Sequence, residues 1–333
     1  MHGAFLLLVS AVAASAAPCI HATADCIEWI NFPGGNSRSL IYRTYSLDTP
    51  NPAITRALVI VHGTNRDADN YFRTAVTAAF LGDALENTVV IVPRIASADR
   101  GCHDMLAQNE VSYSCGGSDS WRSGGVAASN DKLTSFDFMD EILKKLARKQ
   151  AFPNLRSIVV AGHSAGGQYV TRYEMSNRIH ETLGVPVSYV VANPSSYAWL
   201  DATRPVVDGD KITFRNFGDG RSCSSYDKWP YGLEQRTGYA SKLTDDQLKH
   251  QLASRPTTYL LGEIDILPLG GFDNSCPAMA QGPTRRARGE AFGKLATEKL
   301  GAKHATVIVH LCGHNARCMF TSDEALPILF PKQ

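Results

Sequence analysis

A serine stands between glycines in the stretch VVAGHSAGGQ, residues 159–168, where a β-branched run gives way to a helix-compatible segment. Gly-x-Ser-x-Gly between a strand and a helix is typical of a nucleophilic serine on a tight turn. The flanking Gly162 and Gly166 allow that turn, and the free N–H groups at a helix start can face a developing anion. The sequence therefore predicts that Ser164 attacks a carbonyl, and the alternative is an ordinary Gly/Ser turn.

An acid is the second part that such a nucleophile needs. The stretch YLLGEIDILPLGG, residues 259–271, ends a strand-like run and places Asp265 just beyond it. Glu263 and Asp273 are the other acids in this region, with loop solvation or helix capping as their ordinary roles. All three stay candidates on position alone.

A base is the third part. The stretch ATVIVHLCGHNARCMF, residues 305–320, carries two histidines. His310 lies within the apolar run, where a structural histidine is expected. His314 follows in a Gly-His-Asn turn, from which a loop can bring an imidazole over the serine.

The arrangement resembles the α/β-hydrolase fold, and the resemblance covers nearly the whole mature chain. In that family the triad follows the chain order Ser, Asp or Glu, His. Residues 262–265, Gly-Glu-Ile-Asp, are similar to the family's Gly-Glu-x-Asp pattern, in which the second acid is the triad member. The resemblance thus implies a triad of Ser164, Asp265 and His314.

The resemblance also implies an oxyanion hole. One donor is the N–H of Ala165, which follows the nucleophile, and the other comes from a loop after an earlier strand. His62-Gly63 is similar to the family's His-Gly, so Thr64 is the expected second donor and Asn65 the fallback. His163, beside the serine, is expected to serve packing.

The elements that must position these residues alternate along the chain. Continuous Val/Ile/Leu runs between helical patterns predict an α/β fold with a mostly parallel sheet and helices on both faces. The expected strands are 57–63, 88–95, 155–162, 187–193, 257–264 and 305–311, with 38–47 as an antiparallel edge strand. The expected helices are 68–81, 131–149 (capped by Asn130 or Asp131), 166–183, 284–300 and 322–329.

Two long segments, 96–130 and 194–256, follow strands and should emerge at the ligand-binding edge of the sheet. By position the second resembles the family's cap region, so we expect an inserted cap or lid there. Four aromatic side chains at the predicted rim of the site are candidates for a substrate pocket, with loop packing as the alternative: Tyr71 after the oxyanion loop, and Trp121, Tyr197 and Trp199 in the two long segments. Three arginines offer contacts for an acidic substrate: Arg122, Arg221 and Arg285.

Composition bounds the location and the partners. The 333-residue chain has a net charge of +1, which gives no electrostatic basis for binding nucleic acid. Residues 1–16 fit a signal peptide and 17–333 the mature domain, without an apolar run long enough to span a bilayer. We expect a secreted or periplasmic protein.

Eight cysteines, all beyond the signal segment, support that location because an even number suits a disulfide framework. Pairing by neighbourhood gives Cys19–Cys26, Cys102–Cys115, Cys223–Cys276 and Cys312–Cys318. A metal site formed by His310, Cys312 and His314 lacks the usual zinc spacing. Neither a metal nor a cofactor is expected, since no dinucleotide or P-loop motif is present.

The favoured function is a serine carboxylic ester hydrolase that forms an acyl-enzyme and acts on a small-molecule or polymer ester. One alternative is an amidase or peptidase on the same triad, because the motif does not distinguish an amide carbonyl from an ester carbonyl. The other is a noncatalytic binding protein with the hydrolase fold. Replacing Ser164 separates this last alternative from both enzymes.

Overall fold

The computed structural model describes residues 17–117, 119–209, 211–218 and 222–332. The expected signal segment, 1–16, and Arg221 lie outside the described residues. The strands are β1 (Ile27–Asn31), β2 (Arg38–Arg43), β3 (Arg56–Val61), β4 (Thr88–Pro93), β5 (Val126–Ala127), β6 (Asn130–Thr134), β7 (Ser157–His163), β8 (Val187–Ala192), β9 (Thr203–Asp208), β10 (Lys211–Asn216), β11 (Thr257–Gly262) and β12 (Ala305–Val309).

The α-helices follow the same order. They are α1 (Ala68–Leu81), α2 (Ser135–Leu146), α3 (Ala165–Ser176), α4 (Asp245–Ser254), α5 (Cys276–Met279), α6 (Arg285–Leu300), α7 (Ala316–Phe320) and α8 (Leu326–Leu329). Short 3₁₀ helices lie at Ala24–Cys26, Leu85–Asn87, Trp121–Ser123, His180–Thr182 and Gly238–Lys242. None of the described helices has the length and apolar character needed to cross a membrane.

Eight strands form the central sheet in the order β1-β2-β4-β3-β7-β8-β11-β12. All neighbours from β4 to β12 are parallel, which confirms the mostly parallel α/β fold. The six predicted parallel strands are all present. The predicted antiparallel strand is β2, but it is not at the edge, because β1 pairs on its outer side. The sequence reading missed β1, a short strand of mixed polarity.

Side chains alternate between the two faces of the sheet along each strand, and both faces are buried. On β3, Leu58 and Ile60 join the core beneath α1, α7 and α8. Val59 and Val61 point to the opposite face and join the core with α2, α3, α4 and α6. Because both faces of the sheet are buried, its strands are apolar at consecutive positions. Polar groups lie at the carboxyl ends of the strands.

Helix α2 is shorter than the predicted helix 131–149. The residues before it form strand β6, so neither Asn130 nor Asp131 is the cap. Thr134 caps α2 instead: its side chain accepts from the Asp137 N–H, and the Asp137 carboxylate accepts from the Thr134 N–H. This reciprocal pair satisfies two backbone donors and sets the start of the helix.

Two other helices also differ from the sequence prediction. The predicted helix 166–183 ends at Ser176 and is followed by a separate 3₁₀ turn. The predicted helix 322–329 is only α8, because Pro327 is tolerated in the first turn and not further into a helix. The helix predicted at 284–300 is present as α6.

The segment 194–256 contains structure that the sequence reading missed. It holds the β9–β10 hairpin and helix α4. On α4, Leu248 and Leu252 lie one turn apart and are buried in the core, so α4 belongs to the body of the fold. The lid interpretation therefore stays a prediction for the remainder of the segment.

All four predicted cysteine pairs are present as disulfides. Their Cα–Cα distances are 5.5 Å for Cys19–Cys26, 6.1 Å for Cys102–Cys115, 5.8 Å for Cys223–Cys276 and 5.7 Å for Cys312–Cys318. No cysteine in the described part of the chain is free. The last pair brackets His314 and fixes a short loop at the end of β12.

Phe292 on α6 anchors an aromatic cluster between the sheet and the 194–200 segment. Its ring stacks on Tyr197 at a centroid distance of 4.5 Å and meets Trp199 edge-on. We expect Phe292→Ala to lower the free energy of unfolding by about 3–5 kcal/mol, since the cavity would be fully enclosed. Denaturant unfolding measures this loss.

Phe80→Ala is the matched control, because that ring is 71% exposed on α1. It should leave the free energy of unfolding near the wild-type value. Equal losses in the two variants would contradict the placement of Phe292 in the core.

Candidate active site

The turn between β7 and α3 holds Ser164 in a strained backbone conformation, with φ 59° and ψ −119°. Its N–H donates to Ala192 O on the neighbouring strand at 2.9 Å. A Cβ on Gly162 would collide with the carbonyl of Gly166, and one on Gly166 would collide with the carbonyl of Val61. The glycines are therefore needed for close packing, and this packing presents the serine side chain at the sheet edge.

A chain of hydrogen bonds runs from this serine to a buried carboxylate. The Ser164 hydroxyl lies 2.9 Å from His314 Nε2, and His314 Nδ1 lies 2.9 Å from Asp265 Oδ2. The carboxylate accepts from Nδ1, so Nδ1 carries the proton and Nε2 is free to accept from the serine. The structure thus brings the three predicted residues together in hydrogen-bonding order.

The competing acids lie elsewhere. Glu263 accepts from the Leu311 N–H at 2.9 Å and lies 3.6 Å from His310. Asp273 accepts from the hydroxyl of Tyr231 at 2.8 Å. The expectation for His310 needs correction, because β12 ends at Val309 and the imidazole is exposed rather than held within the strand.

Arg285 on α6 holds the other side of the acid. Its Nη1 lies 3.3 Å from Asp265 Oδ1, while its Nη2 donates to the carbonyls of Leu269 and Gly270 at 2.7 and 2.8 Å. Burial lowers the pKa of Arg285, and the charge of Asp265 acts in the opposite direction. From the sequence, Arg285 was a candidate contact for an acidic substrate. The structure instead pairs its guanidinium with Asp265.

Asn193, just after β8, holds the loop that carries the candidate base His314. Its Oδ1 accepts from the Gly262 N–H at 2.8 Å, and its Nδ2 donates to Gly313 O at 3.2 Å. The side chain therefore ties the end of β11 to the loop that carries His314. With φ 46°, Asn193 adopts the left-handed conformation that asparagine tolerates better than most residues. The sequence reading missed it.

His163 packs between the nucleophile and helix α1. Its Nδ1 lies 3.1 Å from the hydroxyl of Tyr71, and its ring centroid lies 4.7 Å from that of His314. Burial lowers the pKa of His163 well below its ordinary value, and the nearby His314 adds to the effect. A neutral imidazole therefore lies beside the candidate base, with the two rings tilted by 37°.

His62 orients the peptide at the predicted oxyanion hole. Its Nε2 accepts from the Ile95 N–H at 3.1 Å, so Nδ1 carries the proton and donates to Gly63 O at 2.9 Å. The Arg66 N–H donates to the same carbonyl at 3.1 Å. In a trans peptide the N–H points opposite to the carbonyl, so the Thr64 N–H faces away from these donors.

A cavity of about 450 Å³ opens over these groups. Its lining includes the predicted residues Thr64, Tyr71, Ser164 and His314. The rest of the wall is mainly small or polar: Gly63, Asn65, Asp67, Asn70, Thr74, His163, Gly270, Gly271, Asn315, Ala316 and Arg317. Such a wall suits a substrate that is polar around the reacting carbonyl.

Three of the four predicted pocket aromatics do not line this cavity. Trp121 is buried against the ring of His62 at a centroid distance of 5.2 Å. Tyr197 and Trp199 are fully buried in the aromatic cluster around Phe292. The pocket prediction is wrong for these three because their loops fold inward and bury large apolar rings.

Among the described residues, no group of three or more His, Cys, Asp or Glu side chains is placed so that it could bind a metal ion.

No family model and no curated protein matches the sequence. Solved structures are similar in fold. The LpqC poly(3-hydroxybutyrate) depolymerase from Bordetella parapertussis matches with a TM-score of 0.59 at 20% identity, over 89% of this chain and 85% of that one. Poly(aspartic acid) hydrolase-1 from Sphingomonas sp. KT-1 matches with a TM-score of 0.59 at 21% identity, over 88% and 95%. At these identities the likeness concerns the fold.

The buried His62 predicts a loss of stability in acid. Burial lowers its pKa from 6.5 to about 4, so between these values the unfolded chain binds a proton that the folded chain does not. The free energy of unfolding should therefore fall as the pH falls. From about pH 7.5 to about pH 5, His62 contributes about 2 kcal/mol of this loss. Denaturant unfolding at the two pH values measures it.

His62→Asn should reduce this pH-dependent difference by that amount, since asparagine retains a donor for Gly63 O but does not titrate. His250→Asn, on the exposed face of α4, is the control and should keep the wild-type difference. The same difference in His62→Asn as in the wild type would contradict the assignment.

Proposed function

We propose that this chain, which has the α/β-hydrolase fold, is a serine hydrolase that acts on carboxylic esters. The observation that carries the proposal is the hydrogen-bonded sequence Ser164–His314–Asp265, with both distances at 2.9 Å, at the mouth of a cavity. A serine, a base and an orienting acid in this order is the arrangement that activates a hydroxyl for nucleophilic attack.

In the proposed mechanism, Ser164 Oγ attacks the ester carbonyl while His314 Nε2 takes its proton. Asp265 keeps the imidazole in the required tautomer and stabilises the imidazolium that forms. The N–H groups of Thr64 and Ala165 stabilise the negative charge on the carbonyl oxygen. His314 then gives its proton to the departing alkoxide, which leaves an acyl group on Ser164.

Water completes the cycle. His314, neutral again, removes a proton from a water molecule as its oxygen attacks the acyl carbonyl. A second oxyanion forms in the same hole. Its collapse breaks the bond to Ser164, which takes the proton back from His314 and releases the carboxylic acid.

Arg285 acts in this scheme as a positioning residue. The carboxylate of Asp265 is 2% exposed, and burying a charge without a partner is costly. Arg285 binds Oδ1 of Asp265, and His314 donates to Oδ2 of the same carboxylate. Nη2 of the same guanidinium donates to the carbonyl of Gly270, which lines the cavity, so Arg285 supports both Asp265 and the cavity wall.

The ester is favoured over the amide because an alkoxide leaves more readily than an amine. An amidase or peptidase remains the alternative, because the same triad geometry serves both carbonyls. The two similar structures are named for enzymes that degrade polymers: one is a depolymerase of poly(3-hydroxybutyrate), the other a hydrolase of poly(aspartic acid).

The proposed substrates are small or polymeric esters. Comparing matched ester and amide substrates decides between an esterase and an amidase.

The proposed location is outside the cytoplasm. Four disulfides suggest an oxidising compartment, where such bonds form and persist. We propose that residues 1–16 direct export and are removed, and that the part of segment 194–256 outside α4 serves as a cap on the mature enzyme. Mass determination of the exported protein reports the cleavage.

Labelling with a fluorophosphonate tests the proposed nucleophile. Such probes react with activated serines, so we expect one adduct on the peptide that contains Ser164. Asp265→Asn should lower kcat about 10⁴-fold, by favouring the wrong tautomer of His314, and should also lower stability because the buried Arg285 loses its anionic partner. Peptide mapping by mass spectrometry and ester hydrolysis measure the two effects.

Ser164→Ala should abolish both labelling and hydrolysis, while Ser254→Ala, at the exposed end of α4, should leave both intact. A folded, disulfide-bonded protein that takes no label and hydrolyses no ester would refute the enzymatic proposal and favour a noncatalytic binding protein.

A further inference from the structure

A second cavity, of about 600 Å³, lies along helix α3 beside the proposed active site. Gln168 and Arg172 line it from α3, and Pro230 and Tyr231 line it from the 194–256 segment. Arg122 lies in its wall as well. Nothing in the proposed mechanism uses this cavity.

Arg172 is a buried cation whose hydrogen bonds go to uncharged groups. Its Nε and Nη2 donate to Pro230 O at 3.1 and 2.9 Å, Nη2 also donates to Ser196 Oγ at 3.2 Å, and Nη1 donates to Gln168 O at 3.3 Å. Burial lowers the pKa of Arg172 to about 9. In the described part of the chain, no carboxylate forms an ion pair with this guanidinium, and the charge of Asp273 acts on it only from across the cavity.

Two further cations line the same space. Arg122 donates through Nε to Ser120 Oγ at 3.3 Å, and burial lowers its pKa too. Lys228 lies half-buried among the lining residues. The carboxylate in this lining is that of Asp273, which already accepts from the Tyr231 hydroxyl. The cavity therefore has a net positive charge.

The geometry connects this cavity to the nucleophile. Gln168 lies one turn and Arg172 two turns beyond Ser164 on α3, which corresponds to about 6 and about 12 Å along the helix axis. Gly271 lines the first cavity, and Asp273, two residues further on, lines the second. The two cavities thus flank one short segment of chain.

We propose that the second cavity binds a carboxylate of the substrate, held by Arg122 and Arg172 while the scissile ester lies at Ser164. A guanidinium matches the geometry of a carboxylate and forms charge-assisted hydrogen bonds with it. The substrate class is then an ester with a free acid about 6–12 Å from the reacting carbonyl. The inference deepens the proposed function and rests on it.

Two pairs of esters test the inference. The first compares para-nitrophenyl hydrogen suberate with its neutral terminal carboxamide, and so places the acid on the acyl side. The second compares the acetate ester of omega-hydroxyoctanoate with its carboxamide, which places the acid on the alcohol side. In at least one pair, kcat/KM for the anionic ester should exceed that for the neutral one by about ten-fold, since hydrogen bonds to charged groups are the stronger kind.

Arg122→Gln is the main variant, because among the described residues the Arg122 side chain donates one hydrogen bond, to Ser120, and its loss should not unfold the protein. It should reduce the preference for the anionic ester about ten-fold. Lys228→Glu reverses a half-buried charge at the same cavity and should reduce the preference as well. Arg156→Gln is the matched control, an exposed arginine before β7 at the opposite sheet edge, and should keep the wild-type preference.

The outcomes separate the two proposals. If Ser164 takes the fluorophosphonate label but neither pair shows a preference that Arg122→Gln reduces, the carboxylate site is refuted and the hydrolase stands. If no ester is cleaved and no label is taken, the hydrolase itself is refuted. A terminal phosphate preferred over the terminal carboxylate would overturn the choice of carboxylate as the bound anion.

Discussion

The close packing at the β7–α3 turn is the constraint on which the rest of the site depends. Ser164 adopts a backbone conformation that costs about 1–3 kcal/mol unless its surroundings impose it. The surroundings here are two neighbouring strands: β3 packs its last carbonyl against Gly166, and β8 accepts the serine N–H. Both the acid loop after β11 and the base loop after β12 have to meet a serine fixed in this way.

Three buried polar side chains connect the loops at the carboxyl edge of the sheet. Arg285 links the acid to the cavity wall, and Asn193 links the end of β11 to the base loop. His62 connects Gly63, in the predicted oxyanion loop, to Ile95 just after β4. Each of them is buried, and a buried polar group left unpaired costs about 1–3 kcal/mol. The same contacts that satisfy these side chains therefore fix the positions of the loops that meet at Ser164.

The predictions that succeeded rest on patterns that are local in the sequence. Six parallel strands are continuous apolar runs, and the three side chains predicted to meet come from one turn motif and two strand ends. Arg285 was assigned to the substrate and Asn193 was missed, because each makes its contact with a residue on another element and no local pattern shows such a pairing. Trp199 was misplaced for a related reason: a ring in a long loop has no periodicity that tells an inward from an outward orientation.

Helix α3 follows the proposed nucleophile Ser164 directly and carries, two turns on, Arg172, one of the cations of the second cavity. A helix is a rigid spacer, so the distance between these sites is fixed by the rise per residue and not by loop motion. A substrate held at both ends would lose its rotational freedom on binding, before the chemical step. The benefit would then appear in kcat as well as in KM, because remote binding energy would orient the carbonyl at Ser164. If anion binding only raised the local concentration of substrate, KM alone would change.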